Sequence, residues 1–157
     1  MTNWGVIGFG RMGKTFTSCF EGSDKDYHLK CVASKSNLKT IDKKKKFKQY
    51  ENYDHLINSS EIDAIYISTL NNTHKDLIIK SIAQNKKVLC EKPLGMNLNE
   101  VKEIYNSIKE KKDMFCEAIA YRSHPQTSKL LEILRDKSYG KIKKIEANFG
   151  FRTKRIK

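Results

Sequence analysis

Two short segments carry residues able to do chemistry. Gly8-Phe9-Gly10-Arg11-Met12-Gly13 spaces three glycines as G-x-G-x-x-G, and Glu91-Lys92-Pro93 sets a lysine between a carboxylate and a proline. The first pattern suits a pyrophosphate and the second a proton. In such a glycine turn Gly8 permits the tight bend, Gly10 lets a pyrophosphate approach the backbone, and Gly13 lets the helix pack close against the strand. The unpaired N–H groups at the helix start face the anion, so Phe9, Arg11 and Met12 join the glycines as cofactor-binding candidates. The same turn could connect strand to helix with no ligand at all. Its context favours binding: an apolar run, Trp4 to Gly8, precedes it, and Met12, Phe16, Cys19 and Phe20 follow at helical spacing.

The end of the second strand chooses the cofactor. An acidic residue there would hydrogen-bond the ribose 2′-hydroxyl of NAD. Ser34-Lys35-Ser36 stands in that place, so nothing repels a 2′-phosphate, and Ser34 and Lys35 are assigned to binding one. NADP is thereby favoured over NAD. Lys92 is the candidate catalytic base, removing a hydroxyl proton as hydride leaves carbon. The role requires partial burial and a neighbouring cation, such as an oxidised nicotinamide, to disfavour its ammonium form. Taken alone, a strand-end Glu-Lys pair reads first as an exposed ion pair.

The order of elements places both segments on one edge of a sheet. Apolar runs predict strands at Trp4–Gly8, Leu29–Ala33, Ile62–Thr69, Val88–Cys90 and Met114–Ala118. Helical spacing lies between them: from Met12, over Asn37–Lys48, over Tyr53–Ser59 with Asp54 as cap, and over Thr73–Asn85. Asn97-Leu98-Asn99-Glu100 has the form of a capping box opening a further helix through Ile108. Strands alternating with helices imply parallel pairing, hence a doubly wound α/β sheet of the NAD(P)-binding Rossmann type. Ligands bind such sheets outside the carboxyl ends of the strands, where Gly8–Gly13 and Lys92 both fall. After Ala118 the pattern changes to a helix from Pro125 and an alternating strand over Ile142–Phe151, the truncated start of an α+β second domain. The expected division is residues 1–118 and 119–157.

Composition narrows the alternatives. The chain has 157 residues with 31 Lys+Arg against 18 Asp+Glu, a net charge of +13, which raises the question of a nucleic-acid partner. The lysines, including Lys43 to Lys46, fall on a predicted helix exterior without interleaved aromatics, and only Arg11, Arg122, Arg135, Arg152 and Arg155 are arginine. No nucleic acid and no membrane are therefore expected as partners. Cys19, Cys31, Cys90 and Cys116 form no C-x-x-C pair, and the N-terminus has no leader; both features predict free, mostly buried thiols, a cytoplasmic location and no metal site.

Four segments together, the glycine turn, Ser68-Thr69-Leu70-Asn71-Asn72-Thr73-His74, Glu91-Lys92-Pro93 and Glu117-Ala118-Ile119-Ala120-Tyr121-Arg122-Ser123-His124-Pro125, resemble the Gfo/Idh/MocA oxidoreductases, in particular their dihydrodiol and xylose dehydrogenase branch. The resemblance implies transfer of a hydride between a nicotinamide cofactor and a sugar-, cyclitol- or diol-like alcohol, with a small polyol or sugar as substrate. By position, Lys92 matches the catalytic lysine, and Ser68, Thr69, Asn71 and His74 match the loop along the cofactor. Glu91 matches the residue beside the nicotinamide; Tyr121, Arg122 and His124 match the entry to the substrate domain. His74 serves equally well as a cap for the helix it opens. Leu70 departs from the usual proline. Family members run well beyond this length, so the expectation is a truncated chain that binds cofactor without efficient turnover, and no oligomeric state follows. A non-catalytic dinucleotide-binding module or sensor is the alternative, with a nucleic-acid-binding protein a remote one.

Overall fold

Val6 and Ile7, with Trp4 partly buried before them, lie on a strand that pairs on both sides, and the sheet grows outward from it. The computed structural model describes residues 1–21, 26–36 and 47–150, and the chain divides into two units, Met1–Ile119 and Ala120–Lys157. In the first unit β1 (Thr2–Ile7), β2 (Tyr27–Ala33), β3 (Lys48–Tyr50), β4 (Ala64–Ile67), β5 (Lys87–Glu91) and β6 (Phe115–Ala118) form one sheet in the order β3-β2-β1-β4-β5-β6. Every pairing is parallel. The helices α1 (Arg11–Ser18), α2 (Tyr53–Ile57), α3 (His74–Ala83) and α4 (Leu98–Ile108) provide crossovers between strands.

Alternation along the strands builds two cores. Ile7, Ala33, Ile65, Ile67, Val88 and Cys90 face α2, α3 and α4, among Leu56, Ile78 and Ile104. Val6, Val32 and Tyr66 form the other core with Phe9, and Phe16 of α1 packs on it. Both faces of the central strands are thus covered, which accounts for their nearly continuous apolar runs. β4 is buried throughout.

The structure departs from the sequence expectations at several points. Asn52, not Asp54, caps α2: its Oδ1 accepts the Asp54 N–H at 2.8 Å. β3 is a three-residue edge strand that the sequence did not suggest; it meets the helix expected over Asn37–Lys48 only at Lys48, and positions 37–46 of that helix lie outside the described residues. The helix expected from Thr73 begins as a short 3₁₀ turn, Asn71–Thr73, and becomes α-helical at His74. Asn97 does cap α4, accepting from Glu100 N–H at 3.1 Å, while Glu100 reaches back to Met96 N–H at 2.8 Å. Cys31 and Cys90 are buried, but Cys19 and Cys116 are exposed, so burial claims half of the thiols, not most.

In the second unit α5 (Pro125–Arg135) opens with proline in its first turn, after a 3₁₀ turn over Ala120–Ser123. The strand expected over Ile142–Phe151 does not form within 142–150. Alternating apolar residues become a strand only when another strand supplies the hydrogen-bond ladder. Its Ile142 and Ile145 are exposed.

At Gly13 helix and strand meet so closely that a Cβ would stand 2.1 Å from the Gly8 carbonyl oxygen. Gly13→Ala is expected to cost about 3 kcal/mol, because the clash is with backbone that cannot swing away. Urea unfolding measures this, and an unchanged midpoint would contradict the packing.

Candidate active site at the carboxyl edge of the sheet

Three loops leave the sheet at one level. Gly8 N–H donates to Ala33 O at 2.8 Å, Ser68 N–H to Ile7 O at 2.8 Å, and Ser34 N–H to Tyr50 O at 3.0 Å, extending the ladder beyond the strands. Strand order reverses direction between β1 and β4, so the crevice of an open α/β sheet opens at Gly8 and Ser68. Ser68 Oγ donates to Gly8 O at 3.0 Å and ties the two loops together.

The glycines divide the work by geometry. Gly8 has φ +93°, and a Cβ there would lie 2.7 Å from Ser68 O. At Gly10 a Cβ would meet nothing within 4 Å: the space beside this backbone is open. Gly10 is also the N-cap of α1, with no side-chain cap and no acidic residue in the first turn. The leading N–H groups of α1 and the positive end of its dipole therefore face open space, which fits a dinucleotide pyrophosphate. Arg11 and Met12 are exposed and the Phe9 ring is buried, leaving Phe9 only its backbone to offer a ligand. Beside this turn Ser34 is buried, and Lys35 is exposed with its Nζ 5.2 Å from the Tyr53 ring centroid.

The loops after β4 and β5 meet at His74. Its ring is fully buried, with Nδ1 2.8 Å from Pro93 O and Nε2 3.3 Å from Thr69 O. A carbonyl can only accept, so the shorter contact places a proton on Nδ1. His74 thus holds one loop against the other. It makes no cap of its own helix, whose N-cap is Thr73. Thr69 Oγ1 and Thr73 Oγ1 are 2.6 Å apart, and Thr73 Oγ1 donates to Leu70 O at 2.7 Å, shaping the turn that presents exposed Asn71.

Glu91 is fixed from the α1 side. The Tyr66 hydroxyl donates to Glu91 Oε1 at 2.6 Å, and the Phe16 ring stacks on Tyr66 with centroids 4.0 Å apart. Burial, reinforced by the Glu91 carboxylate, pushes the Tyr66 hydroxyl pKa well up, so it remains a donor. The Lys92–Pro93 bond is cis. Lys92 itself is exposed, with no side-chain hydrogen bond or ion pair among the described residues. The partial burial that a base role requires is not seen at this side chain. Leu94 N–H donates to Glu117 Oε1 of β6 at 3.0 Å. Burial raises the neighbouring Cys90 thiol, and that of Cys31 up to about 12, keeping both sulfurs protonated and unreactive.

Tyr66 was not singled out in the sequence, and Glu117 stood there only as the first residue of a family-like segment, without a role. Each sits in a strand among residues whose type predicts core, and each meets its partner more than twenty positions away. In the structure each is the next-to-last residue of its strand, a position that the predicted bounds of Ile62–Thr69 did not give for Tyr66. Tyr121, Arg122 and His124 belong to the second unit; His124 Nδ1 caps α5 by accepting Gln126 N–H at 3.1 Å. A cavity of about 350 Å³ lined by Thr17, Phe20, Tyr27, His28 and Leu29 lies at the amino end of β2, away from these loops.

The strand order and the glycine turn at its switch point define a dinucleotide-binding Rossmann domain. Residues 2–119 match the family described as an oxidoreductase family with NAD-binding Rossmann fold, and the chain belongs to this Gfo/Idh/MocA family. It is 29% identical to trans-1,2-dihydrobenzene-1,2-diol dehydrogenase of Xenopus laevis, over 95% of this chain and 46% of the relative. The mouse enzyme of the same name is 30% identical over 94% of this chain and 46% of its own length. Among solved structures, myo-inositol 2-dehydrogenase from Lactobacillus plantarum superposes with TM-score 0.79 at 27% identity, over 90% of this chain and 43% of that one. Scyllo-inositol dehydrogenase from Lactobacillus casei shares the fold with TM-score 0.80 at 19% identity, over 89% and 42%. The chain spans less than half the length of these relatives. No helix among the described residues is long and apolar enough to cross a membrane.

Because the space at Gly10 is open, Gly10→Ala is expected to leave stability intact yet weaken dinucleotide binding by about tenfold or more, about 1.4 kcal/mol. Thermal unfolding and a cofactor titration on the same variant check both halves.

Proposed function

We propose that the chain forms the cofactor-binding and proton-handling part of an NAD(P)-dependent dehydrogenase acting on a sugar-, cyclitol- or diol-like alcohol, with NADP favoured over NAD. The observation that carries this reading is the shared edge: the open Gly10 turn after β1 and Lys92 after β5 flank the loop of β4. The diol and inositol dehydrogenases among the relatives support the substrate class.

When bound, the nicotinamide supplies the hydride acceptor or donor. The chain does the rest. Backbone N–H groups of the Gly10–Gly13 turn hold the pyrophosphate. Lys35, with the hydroxyls of Ser34 and Ser36, binds the 2′-phosphate. Thr69 and Asn71 present polar groups along the loop that His74 fixes, while Ser68 is engaged with Gly8 O. Glu91, held by Tyr66, stands beside the nicotinamide position, and Lys92 Nζ takes the alcohol proton in oxidation and returns it in reduction. Tyr121, Arg122 and His124 are proposed as substrate contacts.

A lysine acts as a base near neutral pH only where burial or a neighbouring cation disfavours its ammonium form. Lys92 is exposed, so the 157-residue polypeptide should bind cofactor without efficient turnover. That exposure also favours the second reading, a binding module without chemistry of its own.

Titration of nicotinamide fluorescence is expected to show NADPH binding more tightly than NADH, and Lys35→Glu to reverse the order. Equal affinities, or a preference unmoved by Lys35→Glu, would remove Lys35 from the cofactor site. Assays of the 157-residue chain on diols, cyclitols and sugars should show little oxidation, and robust turnover would refute binding without turnover.

A further inference from the structure

The segment Glu91–Leu94 is tied to the domain on both sides of Lys92 and from both faces of the sheet. On the α1 face the tie is Tyr66 to Glu91. On the α3 and α4 face there are two: His74 Nδ1 donates to Pro93 O at 2.8 Å, and Glu117 Oε1 accepts from Leu94 N–H at 3.0 Å. Leu94 is buried, so its N–H would lose a hydrogen bond without this partner. Glu117 reaches the turn through sheet register, since β6 places it opposite Cys90 of β5. A carboxylate accepting a backbone N–H makes a charge-assisted hydrogen bond, stronger than a neutral one. Lys92 has no side-chain hydrogen bond of its own among the described residues. The position of its Nζ therefore depends on the backbone that Glu117 and His74 hold.

We propose that Glu117 is a positioning residue for Lys92, fixing the Lys92–Leu94 turn through the Leu94 N–H so that the lysine points to the cofactor side of the crevice. This rests on the reading of Lys92 as the proton-handling group, and it assigns Glu117 a role through Lys92 with no contact to substrate. The requirement is for an acceptor at a given reach. Gln keeps both reach and acceptor, Asp keeps the charge but is one methylene short, and Ala keeps neither.

The test uses the 157-residue chain with two readouts. Amide exchange at Leu94 reports the hydrogen bond. The rate of Lys92 acetylation, followed by peptide mass spectrometry at saturating NADP⁺ and in parallel NAD⁺, reports where the lysine lies; Lys102 serves as internal reference. In the parent and in Glu117→Gln, Leu94 should be protected and cofactor should slow acetylation of Lys92. In Glu117→Ala and Glu117→Asp, Leu94 should exchange about tenfold faster and the cofactor shielding of Lys92 should fall, with Lys102 and the β4 amides unchanged. Should Glu117→Ala not fold, the Asp and Gln variants carry the comparison. Parent-like exchange and shielding in Glu117→Asp, or loss of both in Glu117→Gln, would overturn the proposal. Absence of shielding in the parent would overturn the reading of Lys92 itself and the proposal with it, a result distinct from shielding that is present but indifferent to Glu117.

Discussion

The first turn of α1 lies so close to the Gly8 carbonyl that no side chain fits between them: a Cβ at Gly13 would be 2.1 Å from that oxygen. Much of the site follows from this contact. It brings the start of α1 down onto the end of β1, where the Gly8 N–H is held by Ala33 of β2 and the Gly8 oxygen by Ser68 of the loop after β4. The helix N-terminus is thereby pinned between the two neighbours of β1, facing the crevice. Anion binding there needs no side chain, only donors with nothing in front of them, and Gly10 keeps that space empty.

The turn that carries Lys92 is built differently. Its loop is held by side chains from β4, α3 and β6, which contribute Tyr66, His74 and Glu117. Each of these groups is spent on a neighbour of the lysine, and none on the lysine. Rigid flanks with an unengaged ammonium between them suit a group that must exchange its proton with a ligand. A lysine locked in an ion pair would have to break that pair first.

This contrast explains what could be read from sequence. The glycine turn is local: spacing, preceding strand and following helix all lie within the first twenty residues, and each glycine has a steric reason visible in its position. The strands of the doubly wound sheet were legible because burial on both faces makes their runs apolar. β3 was not, since Lys48-Gln49-Tyr50 is short and polar and becomes a strand only by pairing with β2. The strand expected over Ile142–Phe151 does not form within 142–150 for the converse reason, having alternation but no pairing strand among the described residues. Tyr66 and Glu117 were illegible because their meaning lies in partners 25 and 23 positions away, brought together by register. His74 was singled out, yet its burial between two carbonyls could be known only once both loops were placed.

The charge of the chain takes its meaning from the same edges. Ion pairs such as Lys48–Glu61 and Lys80–Asp54 are at least half exposed and contribute little to stability. At the amino edge of the sheet, Lys86 Nζ donates to Ser59 O and Ile62 O, and Lys111 Nζ to Ile82 O and Asn85 Oδ1. Those ammonium groups close carbonyls that loop and helix ends leave open. At the carboxyl edge Lys35 lies over an aromatic ring and Lys92 has no hydrogen-bond partner among the described residues. Lysines of one chemistry are thus engaged by the protein at one edge and left available at the other, and the available edge is the one where the α1 N-terminus already favours a negative ligand. A dinucleotide pyrophosphate at the glycine turn would meet the positive end of the α1 dipole with no acidic residue in its first turn, while the Glu91 and Glu117 carboxylates of the same edge are engaged by the Tyr66 hydroxyl and the Leu94 N–H.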